Sequence, residues 1–139
     1  MSRNKGKRGE REVIDILQPV VNKVYQAGGV EPPILQRNTL QSDRGGCDIA
    51  GLAWFAPEVK RQEGGSVGVW WRQAASQARN GQVPVLFYRR NGEKWKIRMR
   101  AYLPVVEGTR VGVIAEISME AFLCYFETRL RKELQELQP

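Results

Sequence analysis

The chain has 139 residues, a net charge of +7 and no histidine. Lacking histidine, it cannot use His-based acid/base catalysis, a Ser–His triad or His-ligated zinc. Cys47 and Cys124 are too few and too far apart in sequence for a zinc cluster, and they read as free thiols in a reducing cytosol, with one disulfide as the alternative.

This length fits one domain that buries its core without disulfides. The basic balance favours an anionic partner, with nucleic acid first and an anionic membrane second. No apolar run reaches the length of a membrane span, and the N-terminus is polar and basic, without an apolar signal core. The sequence therefore reads as a soluble, cytoplasmic protein.

In chain order, residues 1–9 form a basic arm that is expected to be mobile at its start. A helix is expected from Gly9 or Glu10, with Val13, Ile14, Leu17, Val20, Val21 and Val24 at helical spacing. Pro19 should end or kink it near Gln18. Glu10 falls on the core-facing side of its first turn, and Glu12 faces elsewhere. Gly28-Gly29 and Pro32-Pro33 mark a loop. Residues 34–40 read as a first strand, and residues 41–46 as a polar loop exposing Asp43 and Arg44. Strands are expected at 47–52 and 55–61.

Residues 70–79 read as a short helix with Trp71, Ala74, Ala75 and Ala78 on its apolar face, and with Trp70, Gln73 and Gln77 on another. Residues 83–88 are nearly continuously apolar, which predicts a strand buried on both faces. Asn91-Gly92 signals a hairpin turn. After it, Trp95, Ile97 and Met99 alternate with Lys96, Arg98 and Arg100. Residues 111–117 read as another strand. Ser118 is placed to cap a closing helix of residues 119–136, lined by Leu123, Phe126, Leu130, Leu134 and Leu137. This order predicts an α/β fold, a mixed central sheet flanked by helices.

The chemistry concentrates in residues 47–60. Side chains alternate faces along a strand, so Glu58 and Lys60 share one face while Val59 turns to the core. A hairpin between the two strands would bring Asp48 beside Glu58. Two carboxylates and an ammonium make an oxygen-donor site for Mg²⁺ or Mn²⁺ with a lysine against it. Phosphodiester cleavage needs an activated water and neutralised charge, and such a site supplies both. Glu10 offers a further carboxylate. The bland alternative is a solvated strand with an ordinary Glu–Lys pair.

Three stretches carry a resemblance. Gly-Glu-Arg-Glu-Val-Ile-Asp-Ile-Leu at 9–17, Cys-Asp-Ile-Ala-Gly at 47–51 and Pro-Glu-Val-Lys at 57–60 together resemble the PD-(D/E)XK nuclease superfamily. Within it they are most similar to archaeal and phage Holliday junction resolvases. The resemblance covers about residues 5–100, and the tail from residue 105 has no counterpart in it. It implies a restriction-endonuclease-like αβββαβ core. It places the family's catalytic helix glutamate on Glu10, its metal-binding aspartate on Asp48, its second carboxylate on Glu58 and its lysine on Lys60. The Val59 carbonyl would be a third ligand, and Glu10 would bind a second metal or a metal-bound water. Glu12 rivals Glu10, and Asp43 rivals Asp48. Pro57 must start its strand or sit at an edge.

The implied activity is Mg²⁺-dependent endonucleolytic cleavage of branched DNA, four-way junctions in particular, by a homodimer that a phage would encode. Arg3, Lys5, Lys7, Arg8 and Arg11 would grip phosphates. Arg37 and Arg44 lie on the approach to Asp48, and Gln73 is expected to reach the site from its helix. The alternatives are a nuclease acting on flaps, nicks or plain duplex, and a non-catalytic nucleic-acid-binding protein that keeps the fold.

Overall fold

The computed structural model describes residues 3–38 and 47–137. Its elements in order are α1 (Arg3–Ala27), β1 (Gln36–Arg37), β2 (Ile49–Ala50), β3 (Phe55–Arg61), α2 (Val67–Gln77), β4 (Val83–Arg89), β5 (Lys96–Val106), β6 (Thr109–Ser118) and α3 (Met119–Leu137). The main sheet has the order β3-β4-β5-β6. β3 and β4 are parallel, and the other neighbours are antiparallel, so the sheet is mixed. The fold is α/β with helices on both faces, as composition and pattern predict.

The larger core lies between the sheet and helices α1 and α3. Val13, Leu17 and Val21 of α1 meet Phe55, Val59, Phe87 and Ile97 of the sheet and Phe122, Phe126 and Leu130 of α3. Phe87 and Phe122 meet edge to face, with ring centroids 5.1 Å apart. This geometry favours an aromatic pair beyond the area it buries. On the opposite face, Trp70 and Ala74 of α2 pack on Leu86 and Tyr88. The four consecutive buried residues Val85 to Tyr88 thus serve both cores, as a central strand covered on each side requires.

Several local expectations are corrected. α1 does not begin near Gly9. It is helical from Arg3 and runs through Pro19 without ending. Asp15 and Pro19 are both exposed. The Asp15 carbonyl that Pro19 leaves without an N–H partner therefore meets water, the arrangement in which a helix tolerates proline with a gentle bend. The strand expected at 47–52 shortens to β2, which pairs with β1 and not with β3. Of the strand expected at 34–40, only β1 forms among the described residues.

In α2 the buried aromatic is Trp70, not Trp71. The helix starts earlier than its apolar pattern suggests, capped by the Ser66 hydroxyl, which accepts from the Val69 amide. In α3, Ser118 caps as expected, accepting from the Ala121 amide at 3.1 Å. The buried line of α3 is Phe122, Phe126, Leu130 and Leu134, while Leu123 is half-buried and Leu137 exposed. β5 runs well past the alternating segment expected of it, while β6 matches the strand expected at 111–117 with two more residues at its start and one at its end. No helix among the described residues is long and apolar enough to cross a membrane.

Candidate active site

β3 is an outer strand of the main sheet. In an extended strand the N–H and C=O of one residue point the same way, and successive residues alternate. Pro57 and Val59 therefore turn their backbone groups outward, away from β4. Pro57 has no N–H to lose there, which meets the edge requirement read from the sequence. Asp48 closes this edge. Its amide donates to the Pro57 carbonyl at 2.9 Å. Its Oδ2 accepts from the Val59 amide at 2.8 Å. Asp48 thus reaches β3 by these two bonds rather than through the hairpin expected of residues 47–61.

Asp48 is itself held from behind. Its carbonyl accepts from the Asn38 amide at 2.8 Å, and Asn38 Nδ2 donates to the Cys47 carbonyl at 2.9 Å. Asn38 is a positioning residue that the sequence pattern does not announce. Upstream, Gln18 fixes the path into β1. Its Oε1 accepts from the Leu35 amide at 2.8 Å, and its Nε2 donates to the Pro33 carbonyl at 2.9 Å.

Glu58 is the most deeply buried carboxylate of the site, with 2% of its surface exposed, and Asp48 keeps 8%. Burial first, then hydrogen bonding to Asp48 and the Asp48 charge, push the Glu58 carboxyl up from its usual value to about 9, against a lowering by Lys60. At neutral pH the site therefore holds a proton between two carboxylates. Lys60 shares the face of Glu58 and is half-buried.

Glu10 reaches the same centre from α1 because Gly9 lets the helix approach. A Cβ at Gly9 would lie 3.0 Å from Arg61 Cβ and 3.3 Å from Val59 Cγ1. Arg37 Nε donates to Glu10 Oε1 at 2.7 Å. Desolvation raises the Glu10 pKa, the Arg37 hydrogen bond lowers it, and the Asp48 charge raises it again, for a net shift upward. Glu12 belongs to another cluster. It accepts from Arg89 at 3.1 Å and lies 3.6 Å from Arg61. This pairing ties α1 to the sheet and takes Glu12 out of competition with Glu10.

The chemistry of the donor set fits a hard divalent cation. It comprises two adjoining buried carboxylates and the outward Val59 carbonyl on the same strand edge, all oxygen donors. A proton is retained where a cation would neutralise the pair. Among the described residues, no three Asp, Glu or Cys groups converge to make a complete cage. Glu10 is close enough that the Asp48 charge raises its pKa and its own charge helps raise that of Glu58. A site of this kind leaves several coordination positions to water and substrate, as Mg²⁺ sites do.

Of the residues expected to bind DNA, Lys7, Arg8 and Arg11 are exposed on α1. Arg37 is committed to Glu10. Gln73 is half-buried on α2. The side chains of Arg3 and Lys5 fall outside the described residues, as do Asp43 and Arg44 entirely. Cys47 is half-buried and Cys124 exposed, both as free thiols. No family model matches the chain, and no curated protein or solved structure matches it.

Proposed function

We propose that the chain is a Mg²⁺-dependent endonuclease of the PD-(D/E)XK type, with a restriction-endonuclease-like core. The observation that carries this reading is the Asp48–Glu58 pair at the edge of β3, with Lys60 two residues on. A buried pair of acids that retains a proton opposes folding at neutral pH, and metal-assisted chemistry gives it a use. The order of a helix, three strands, a helix and a strand supports the same reading. So do the three motifs quoted from the sequence. The short ladder of β1 and β2, separate from the main sheet, is a departure from that core.

In this reading Asp48, Glu58 and the Val59 carbonyl hold the cation. When bound, the cation lowers the pKa of the attacking water and neutralises charge on the phosphate. The Lys60 ammonium donates to the attacking water or to a phosphate oxygen and stabilises the charge that develops. Glu10, oriented by Arg37, accepts a hydrogen bond from the water. Lys7, Arg8 and Arg11 hold the backbone of the DNA by charge, without reading its sequence. The preferred substrate is a four-way DNA junction.

The test is cleavage of a labelled junction beside a linear duplex of matching sequence, with Mg²⁺ or with chelator. Paired nicks confined to the junction and abolished by chelator are expected. Equal cutting of both substrates would retain the nuclease and remove junction preference. Tight binding without cutting under Mg²⁺ or Mn²⁺ would refute the enzyme reading.

A further inference from the structure

The hairpin of β5 and β6 leaves the body of the sheet. β4 pairs with β5 only between Lys96 and Met99. From Arg100 to Val106, β5 has β6 alone beside it. A two-stranded arm thus projects about 23 Å at the usual rise per residue. A lone ribbon of two strands is marginal in water, so an arm this long gains from a surface to lie on.

Its two faces differ in kind. Side chains alternate along a strand. Lys96 and Arg98 stand across from Tyr88 and Leu86, on which α2 packs. Lys96, Arg98, Arg100 and Tyr102 of β5, with Arg110 of β6, therefore share the α2 side of the sheet. On the other side the hairpin turns only apolar residues outward, from Ile97 to Leu103 and from Val111 to Ile117.

The acid of the basic face is already engaged. Glu116 lies 3.4 Å from Arg98 Nε and accepts from the Tyr88 hydroxyl. Lys96 lies 3.7 Å from Glu93, and Glu107 sits in the turn. Arg100 and Arg110 are exposed and have no carboxylate partner among the described residues. Between them stands Tyr102, 59% exposed, with the Arg110 guanidinium 5.6 Å from its ring centroid. The ring lies against Gly112, where a Cβ would come within 3.4 Å of it.

A ridge separates this stripe from the two acids. Glu58 stands across from Leu86, and Leu86 from Arg98. At the usual strand spacing about 10 Å of sheet lies between β3 and β5. Over that interval Trp70 and Ala74 of α2 pack on Leu86 and Tyr88, and a helix is about 10 Å across. The Asp48–Glu58 pair meets the outer edge of β3, whereas the stripe lies beyond the helix. A straight duplex seated at the acids runs along one side of α2. Only a second helical arm, leaving the same point at an angle, reaches the stripe.

We infer, resting on the nuclease reading for the seat of the first helical arm, that the β5–β6 hairpin distinguishes branched DNA from plain duplex. Arg100, Tyr102 and Arg110 hold the backbone of the second arm. Two unpaired guanidinium groups and a phenol hydroxyl offer the charge and the donors that phosphate oxygens take. Such contacts carry no base sequence, so the discrimination comes from where the second arm lies.

The test is fluorescence anisotropy of the full chain in chelator, with a labelled four-way junction and a linear duplex of matching sequence. Wild type should bind the junction about tenfold more tightly or better. R100E/R110E should lose that preference, its junction affinity falling while its duplex affinity stays near wild type. V111T, on the apolar side of the same arm, should match wild type on both substrates. Far-UV circular dichroism checks folding. R110A gives a second measurement should the double variant not fold. Its slope of log affinity against log salt should drop by about 0.9 for the junction and stay unchanged for the duplex.

A junction preference that R100E/R110E keeps overturns the inference and leaves the nuclease reading as it was. Loss of the preference in a chain that cuts nothing under Mg²⁺ supports the role of the hairpin and removes the enzyme. Equal wild-type affinity for both substrates overturns the inference, as does an R110A slope that drops for both or for neither. Wild-type binding to phosphatidylserine vesicles that R100E/R110E loses, with junction affinity unchanged, would overturn it in favour of a membrane surface.

Discussion

The Asp48 carboxylate accepts a hydrogen bond from the Val59 amide at 2.8 Å, while the Asp48 amide donates to the carbonyl of Pro57. One residue thus closes the edge of a strand and presents a carboxylate beside Glu58. Its two roles are separable by substitution. Asp48→Ala leaves the buried Val59 amide unpaired and should cost about 1–3 kcal/mol of stability. Asp48→Asn keeps an acceptor oxygen for that amide but not the charge. It should fold nearly as well as wild type, seen by its urea midpoint. Its cleavage of DNA should fall about 100-fold or more, the scale of several kcal/mol lost from the transition state.

Glu58 gives the molecule a pH signature. Its folded pKa of about 9 stands above the ordinary 4.5. Between those values the folded chain keeps a proton that the unfolded chain releases. Stability without metal therefore falls as pH rises through that window, by up to about 1.4 kcal/mol per pH unit from this group. Denaturant titrations at several pH values in chelator should show Glu58→Gln with a flatter profile and a higher midpoint than wild type at pH 8. Added Mg²⁺ should raise the wild-type melting temperature more at pH 8 than at pH 6, because the cation displaces the proton.

Gly9 sets the distance between α1 and β3. A Cβ there would crowd the Arg61 stem and Val59. Gly9→Val should cost about 1–3 kcal/mol by overpacking. It should also lift Glu10 from the centre, lowering the cleavage rate while leaving the affinity for DNA close to wild type. Single-turnover cleavage measured beside binding separates those effects.

Lys7, Arg8 and Arg11 are exposed on the first turns of α1. If each neutralises one phosphate, each alanine substitution should reduce the slope of log affinity against log salt by about 0.9. Junction and duplex should lose affinity to the same degree, as contacts to the backbone carry no sequence information. Fluorescence anisotropy over a range of salt concentrations measures both quantities.

Much of this architecture was legible in residue order. The alternation of Glu58, Val59 and Lys60 and the apolar run of residues 83–88 are local signals, and each became the strand it foretold. What was not legible depended on contacts distant in sequence. Gly9 looks like a helix boundary until β3 is placed against it. Pro19 looks like a helix end until Asp15 is seen to face water. The pattern put Trp71 on the apolar face of α2, and only the position of Leu86 and Tyr88 shows that Trp70 is the buried one. The pairing of Arg37 with Glu10, 27 residues away in sequence, had no local signal. The arm of β5 and β6 carried no signal beyond its β-branched residues, since from Arg100 to Val106 β5 pairs with β6 alone and lies outside the core.

The opposed energetics of the two central acids bear on how the protein can evolve. Asp48 mends a strand edge with an acceptor oxygen, so a descendant without the proposed chemistry would be selected to keep aspartate or asparagine there. Glu58 opposes folding at neutral pH, and once the chemistry was relinquished, drift toward glutamine or an apolar residue would stabilise the chain. Under the proposed chemistry, a glutamate at position 58 in a lineage sharing this fold would mark a working enzyme, whereas an acceptor oxygen at 48 is also required by the scaffold.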